Sequence, residues 1–465
     1  MSLVSLIRSA LREVKLDEVV TVQPQTCESF YKLMEIYKQD LTVTESFEDC
    51  MAVCLATHVA VVFEGDPLWL YLVAPPSSGK STICELLGAD EIRTCPMDTL
   101  TGIVSGDRRG KHLLPMMQGK CVIVKDGTLL LESSPQQLAS VYGELRSAYD
   151  GSFVKHFRNG VSAEFSNVSF GMIVGITERI YSLNMSALGE RFLHCKLDTS
   201  RDIEKERNKN AIRKIFETTG RTTFEGNEVT DMRSFPKQRA YTAGFMNYLH
   251  MRARTGDVLR PRYTKYDEDL VQSLADTIAC SRAQAPRVRE YGLPSELLYD
   301  ARPEASTRVV KQLSRLALCL CYVLGESSIT SRIRSLLTKV ALDTAFSRQH
   351  TIIRTLALSN GLTRSALSAL TNIPLETITR RIDDLISLGI FLPDNQKNRP
   401  ARGRSVPTLR CAQWIEDAFR RVENHVSVPN REDSQPEQET ASGPAGGNPE
   451  TKRPNRRPLP RPRTR

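Results

Sequence analysis

The sequence predicts an α/β protein: a parallel sheet flanked by crossover helices, then an all-helical stretch, then a compact C-terminal unit of helices with a two-strand wing. Three observations carry that expectation. Four short apolar runs, "LWLYLV" (68–73), "CVIV" (121–124), "VSFGMIV" (168–174) and "RFLHCKL" (191–197), alternate with helical patterns, as buried parallel strands do. The first run leads straight into a Ser- and Gly-bearing loop and then a helix, "VAPPSSGKSTICELLG" (73–88). No comparable run occurs in residues 205–345, where the periodicity is helical.

A chain of 465 residues exceeds one ordinary core. The expected divisions are an N-terminal helical region (1–44), the α/β core (45–200), a helical lid or insert (201–345), the C-terminal unit (346–425) and a disordered basic tail (426–465). Hydrophobic residues at 40% and charged residues at 25% place the chain among globular proteins. Apolar runs long enough to span a bilayer are absent, and so is a small-residue cleavage site after the weakly amphipathic N-terminus. The eleven cysteines sit mostly inside apolar runs and lack zinc-site spacing, so buried, reduced thiols and a cytoplasmic location are expected. The net charge of +9 is uneven: from Lys397 onward there are 15 Lys and Arg against 8 Asp and Glu. A localised basic surplus points to a polyanion, with nucleic acid the leading partner.

Helical patterning is expected up to about residue 65, where Gly65, Asp66 and Pro67 break it before the first strand. The loop that follows that strand matches G-x-x-x-x-G-K-[ST] except that Ala74 replaces the first glycine. Pro75, Pro76, Ser77, Ser78, Gly79, Lys80, Ser81 and Thr82 are the candidate phosphate-binding residues. Backbone N–H groups at a helix N-terminus attract an anion, the lysine reaches the phosphates and the Ser81 hydroxyl reaches Mg²⁺. An apolar strand ending in an acid should follow, and "VIVKDGT" supplies Asp126 as the second candidate Mg²⁺ ligand and catalytic acid. Glu132 is a weaker candidate base, more readily read as a solvated helix residue. Thr177, at the end of "GMIVGITE", is placed to position water, and Arg191, after Gly189 and Glu190, to complete a neighbouring subunit's site. Arg308, at the start of a capped helix backed by Val309, Val310, Leu313, Leu316 and Leu320, is the candidate second sensor in a lid.

Two segments point to nucleic acid. Asn159-Gly160 between "SFVKHFR" and "VSAEF" signals a hairpin whose Lys155 and Arg158 could hold a phosphate backbone. Arg146, on a helix before it, could face an adjacent subunit. Residues 348–411 read as a winged helix. Its third helix, from Leu375 to about Leu388, buries Ile378, Ile382, Leu385 and Ile386 and turns Arg380 and Arg381 outward. Lys397, Arg399, Arg402 and Arg404 lie in the wing, and the tail from Lys452 to Arg465 adds further positive charge.

Together, "GDPLWLYLVAPPSSGKST", "VIVKDGT", "ELRSAYDGSFVKHFRNG", "GERF" and the C-terminal unit resemble a group of AAA+ ATPases from phages, plasmids and mobile islands, related in layout to minichromosome maintenance helicases. The likeness runs through roughly residues 45–411, and departs at Gly127, where that group often has an aromatic. It implies a hexameric or similar ring, ATP hydrolysis with Mg²⁺ between subunits and DNA in the pore. The leading expectation is an ATP-driven DNA motor, nucleoid-associated in a bacterial host. The alternative is a non-motor ATP switch that assembles on DNA and recruits a replication, transposition or nuclease partner. A small-molecule kinase with an appended regulator is a third reading.

Overall fold

The computed structural model describes residues 23–427, except 91, 99–111, 157–161, 183–190, 219–223, 226–227, 230–234, 257–259, 289–295, 298–301 and 395–407. The first half runs α1 (Phe30–Lys38), α2 (Glu45–Val59), β1 (Trp69–Val73), α3 (Lys80–Leu87), β2 (Thr94–Met97), β3 (Cys121–Val124), α4 (Pro135–Tyr149), β4 (Ser152–His156), β5 (Ser162–Ser166), β6 (Gly171–Ile176) and β7 (Phe192–Lys196). Helices α5 (Arg201–Thr218), α6 (Pro236–Arg254), α7 (Lys265–Arg282), α8 (Thr307–Leu324) and α9 (Ser331–Ala345) follow. The chain closes with α10 (Arg348–Ala357), α11 (Arg364–Thr371), α12 (Leu375–Ser387), β8 (Phe391–Asp394), β9 (Thr408–Cys411) and α13 (Gln413–Ser427).

Five parallel strands form the central sheet in the order β2-β3-β6-β1-β7. All four expected strands are present. The fifth, β2, contains Pro96, a residue that reads as a strand breaker. It is tolerated because β2 lies at the sheet edge, where one side of the strand needs no ladder donors. At the opposite edge, helix α9 covers β7. Thr344 Oγ1 accepts from the His194 N–H at 2.8 Å and Asp343 Oδ2 from the Lys196 N–H at 2.7 Å. Those contacts satisfy donors that an open edge would leave for another chain.

The period of two along β1 divides the interior. Leu70 and Leu72 face one apolar cluster, and Trp69, Tyr71 and Val73 face the other. On the second side lie α4 and the β4–β5 hairpin, with Tyr142, Leu145 and Phe153 buried. On the first side the sheet packs against α2, α3 and the helices α6–α9 in one continuous core. The boundary expected at residue 200 is therefore not a boundary of the core. Helix α8 packs along α2, and Arg315 caps the end of that region by donating to the carbonyls of Ala60 (2.7 Å), Phe63 and Glu64 (2.6 Å).

The C-terminal unit has its own apolar cluster. Ile378, Ile382 and Leu385 of α12 are fully buried as the helical spacing predicts, and Ile386 is partly buried. Strands β8 and β9 pair antiparallel, from Phe391↔Cys411 to Asp394↔Thr408, and Leu362 bridges to Leu409. All eleven cysteines are buried and none forms a disulfide. Among the described residues no helix is long and apolar enough to cross a membrane.

Candidate functional site

The loop after β1 forms a bowl of backbone at the C-terminal end of the sheet. Ala74 still pairs as a strand residue, its N–H donating to the Ile176 carbonyl at 3.1 Å, and it is fully buried. Its φ is not positive, so a residue with a Cβ fits where the motif has glycine. The left-handed turns fall later, at Ser77 (φ 62°) and Gly79 (φ 91°). A left-handed residue among right-handed ones points successive N–H groups into one concavity, the arrangement that holds anions. Gly79 opens α3, and Lys80 is its first helical residue.

Lys80 is 8% exposed. Burial pulls the pKa of its ammonium down, and the charge of Asp126 opposes that shift. Asp126 stands at the tip of β3, pinned on both sides: its N–H donates to the Asp98 carbonyl at 3.2 Å, and Gly127 N–H to the Gly175 carbonyl at 2.7 Å. Its Oδ1 accepts from the Thr128 N–H at 2.8 Å. Hydrogen bonds from the Thr128 side chain and backbone, with the Lys80 charge, hold its carboxyl below the usual carboxylate range against the opposing effect of burial. Neighbouring Lys125 points elsewhere, 3.6 Å from Glu85 and 4.0 Å from Asp98.

Thr177 follows the last residue of β6, one step past the Val73↔Ile176 pairing. Its Oγ1 and the Ser78 Oγ are buried without a hydrogen-bond partner. Orphaned buried hydroxyls carry a desolvation cost, and a bound polar group would relieve it. Ser81 is exposed at the start of α3. Lys80, Asp126 and Thr177 thus sit at or beyond the C-terminal ends of three neighbouring parallel strands, β1, β3 and β6. Glu132 pairs with Arg179 at 3.3 Å on the surface, in line with a solvated helix residue.

Arg191 and Arg308 do not join this group. Arg191 precedes β7, at the opposite edge of the sheet, roughly 17 Å away along a five-residue strand. It is 6% exposed, grips Asp150 at 2.7 and 3.0 Å, and lies over the Tyr149 ring at 5.5 Å. Arg308 lines a cavity of about 610 Å³ at that same edge with Asp66, Tyr149, Asp150, Glu304 and Lys311, and pairs with Glu304 at 3.5 Å. A lid arginine acting on its own phosphate loop is therefore not what this position provides. The sequence placed Arg308 at the start of a helix, and that much holds. It could not show that α8 docks beside the residues leading into β1 rather than over the loop.

Strands β4 and β5 pair in the expected hairpin, His156 opposite Ser162. Lys155 bonds Glu144 of α4 instead of standing out alone. Arg158 and the Asn159-Gly160 turn lie outside the described residues, as do Lys397, Arg399, Arg402, Arg404 and the tail. In the C-terminal unit Arg380 is exposed and Arg381 half-buried beside a groove lined by Gln284, Ala285, Arg287 and α12. Asp383 and Asp384 on the same helix are tied to Arg364 (2.8 Å) and Arg287.

One side chain near the loop was not anticipated: Arg207 of α5, whose Nη1 donates to the Ser78 carbonyl. No short motif marks it, because its approach depends on where α5 lies after β7. Compared with known proteins, the chain matches no family model and no curated protein sequence.

Proposed function

We propose that this protein is a P-loop ATPase of the AAA+ type that works on DNA. The observation that carries the reading is the grouping of a buried lysine, an aspartate held below its usual range and two unpartnered hydroxyls at a loop with left-handed turns at Ser77 and Gly79. The strand order supports it too, with the threonine-bearing β6 next to β1 and the acid-bearing β3 beyond it. The residues fit a nucleoside triphosphate with Mg²⁺. Loop N–H groups and Lys80 bind the phosphates, and Ser81 and Asp126 would hold the metal, which screens phosphate charge when bound. Thr177 positions water. Arg191, Arg308 and Lys311, clustered at the far edge, would serve the site of an adjacent copy in a ring. For Arg191 that requires exchange of its Asp150 partner.

The C-terminal unit, with α12 and the antiparallel β8–β9 pair, fits a winged helix in which α12 faces DNA. The motor reading needs Lys155 and Arg158 to meet DNA in a pore. The Lys155–Glu144 pair instead favours the second reading, an ATP switch that assembles on DNA and recruits a partner.

Lys80→Ala is expected to lower ATP hydrolysis by about 100-fold or more. Hydrolysis at the wild-type rate would sink the ATPase reading. Mass photometry with ATP and DNA should give a ring-sized species for wild type and lose it for Lys80→Ala, and a persistent wild-type monomer would count against ring action. Lys155→Glu separates the two readings, because a motor loses DNA-stimulated hydrolysis and unwinding while a switch keeps its DNA-bound assembly.

A further inference from the structure

We infer that Arg207 is a phosphate-contacting residue of the nucleotide site, supplied by the subunit's own α5; this rests on the ATP-binding reading above. Three observations place it there. Its Nη1 donates to the carbonyl of Ser78, inside the loop. Its guanidinium carbon and Nη2 lie 3.9 and 4.0 Å from where a Cβ on Gly79 would stand, so the planar head covers the glycine that opens α3. The helix that carries it is tied down on either side of it. The Asp198 N–H donates to Ser46 Oγ at 2.7 Å before the helix, and Asn210 Nδ2 donates to Thr42 Oγ1 at 2.7 Å on the next turn.

A guanidinium has five N–H donors and the Ser78 carbonyl accepts from only one nitrogen. The remaining donors are poised at the edge of a bowl that already collects backbone N–H groups. Two cations stand close to the loop, each with one acidic neighbour. Lys80 has Asp126 as its acidic neighbour, and Arg207 has Asp198, which is exposed and therefore screened by water. A chain of phosphates is the anion that fits both cations, and bidentate arginine contacts suit phosphate oxygens. In this arrangement the Ser78 contact keeps the guanidinium aimed at the loop before nucleotide arrives. Once phosphate is bound, α5 and the residues it leads to are tethered to the occupied site.

The test uses the full-length chain and ATP, ADP and AMP bearing a fluorescent ribose label. Affinities are compared for wild type, Arg207→Ala, Arg207→Lys and Lys80→Ala. Arg207→Ala is expected to weaken ATP about 10- to 100-fold while leaving AMP nearly unchanged, with Arg207→Lys recovering part of the loss. An equal loss for ATP and AMP would mean that Arg207 only shapes the loop, and overturns the inference. Wild-type ATP affinity in Arg207→Ala overturns it as well, while a loss in Lys80→Ala alone leaves the nucleotide site standing. If wild type binds none of the nucleotides, both readings fall. Should AMP bind too weakly to measure, the ATP-to-ADP ratio decides the same question.

Discussion

Gly175 shows how closely the candidate site is built. A Cβ there would stand 2.6 Å from the Lys125 carbonyl oxygen, 3.2 Å from Lys80 Cγ and 3.3 Å from Cys84 Sγ. Gly175→Ala must therefore push the tip of β3 away from β6 or displace the lysine. It is expected to cost about 1–3 kcal/mol and to weaken ATP binding, read by thermal melting and nucleotide titration. Unchanged melting and affinity would show that the strands have room. Gly127 is confined in the same way, its Cβ position lying 2.6 Å from Val174 Cγ1. That contact leaves no room for a side chain at Gly127 unless Val174 shifts. Lys80 was legible from the loop motif that opens α3, and Asp126 and Thr177 because each follows the end of an apolar strand, positions that sequence marks directly. Arg207 was not, because its contact with Ser78 joins residues 129 apart in the chain.

At the scale of elements, one buried amide ties helix α8 to the second side of the sheet. Gln312 Nε2 donates to the Arg191 carbonyl at 2.9 Å and to the Tyr149 hydroxyl at 3.1 Å, joining α8 to the start of β7 and the end of α4. Gln312→Leu keeps the bulk but leaves both acceptors without that donor in a dry site. A loss of about 1–3 kcal/mol in urea unfolding is expected, and a variant as stable as wild type would refute the role. The same helix explains the misplaced lid arginine. Its apolar stripe reads as a buried face from sequence, but periodicity does not say which element receives it. That element is α2, whose helical pattern was recognised without any sign that it shares a core with residues 309–324. Strand β2 escaped notice for a different reason: it is short, carries Pro96 and is specified by its pairing with β3 more than by its own residues.

For the whole molecule, buried histidines set the response to acid. Burial lowers His58 and His250 to about 3 and His350 to about 4, and holds His194 well below its ordinary value. The unfolded chain takes up protons on these groups near pH 6.5 and the folded chain does not, so stability is full above that value and falls as pH drops towards the folded values. Each affected histidine should remove about 1.4 kcal/mol per pH unit in that window. Asp49 and Asp343, raised by burial, act in the opposite sense. Urea unfolding at pH 7 and pH 5.5 tests this, and equal stability at the two would refute it. The division of the chain into units was only half legible. The C-terminal unit stands out by its own periodicity, but the helical region before it belongs to the sheet's core. Helix α7 then joins the two: Leu270, Leu274 and Ile278 lie in the main core, while Cys280 and the following Ala283 lie in the C-terminal one. Gln349 of α10 donates to the carbonyls of Cys280 (2.9 Å) and Ala283 (2.7 Å), closing the end of α7. A shaft shared in this way has no slack. Any turn of the sheet core would be delivered to the C-terminal unit as a lever delivers it, at a fixed angle, so under the proposed reading a DNA contact would be aimed by the core and not found by free swinging on a tether.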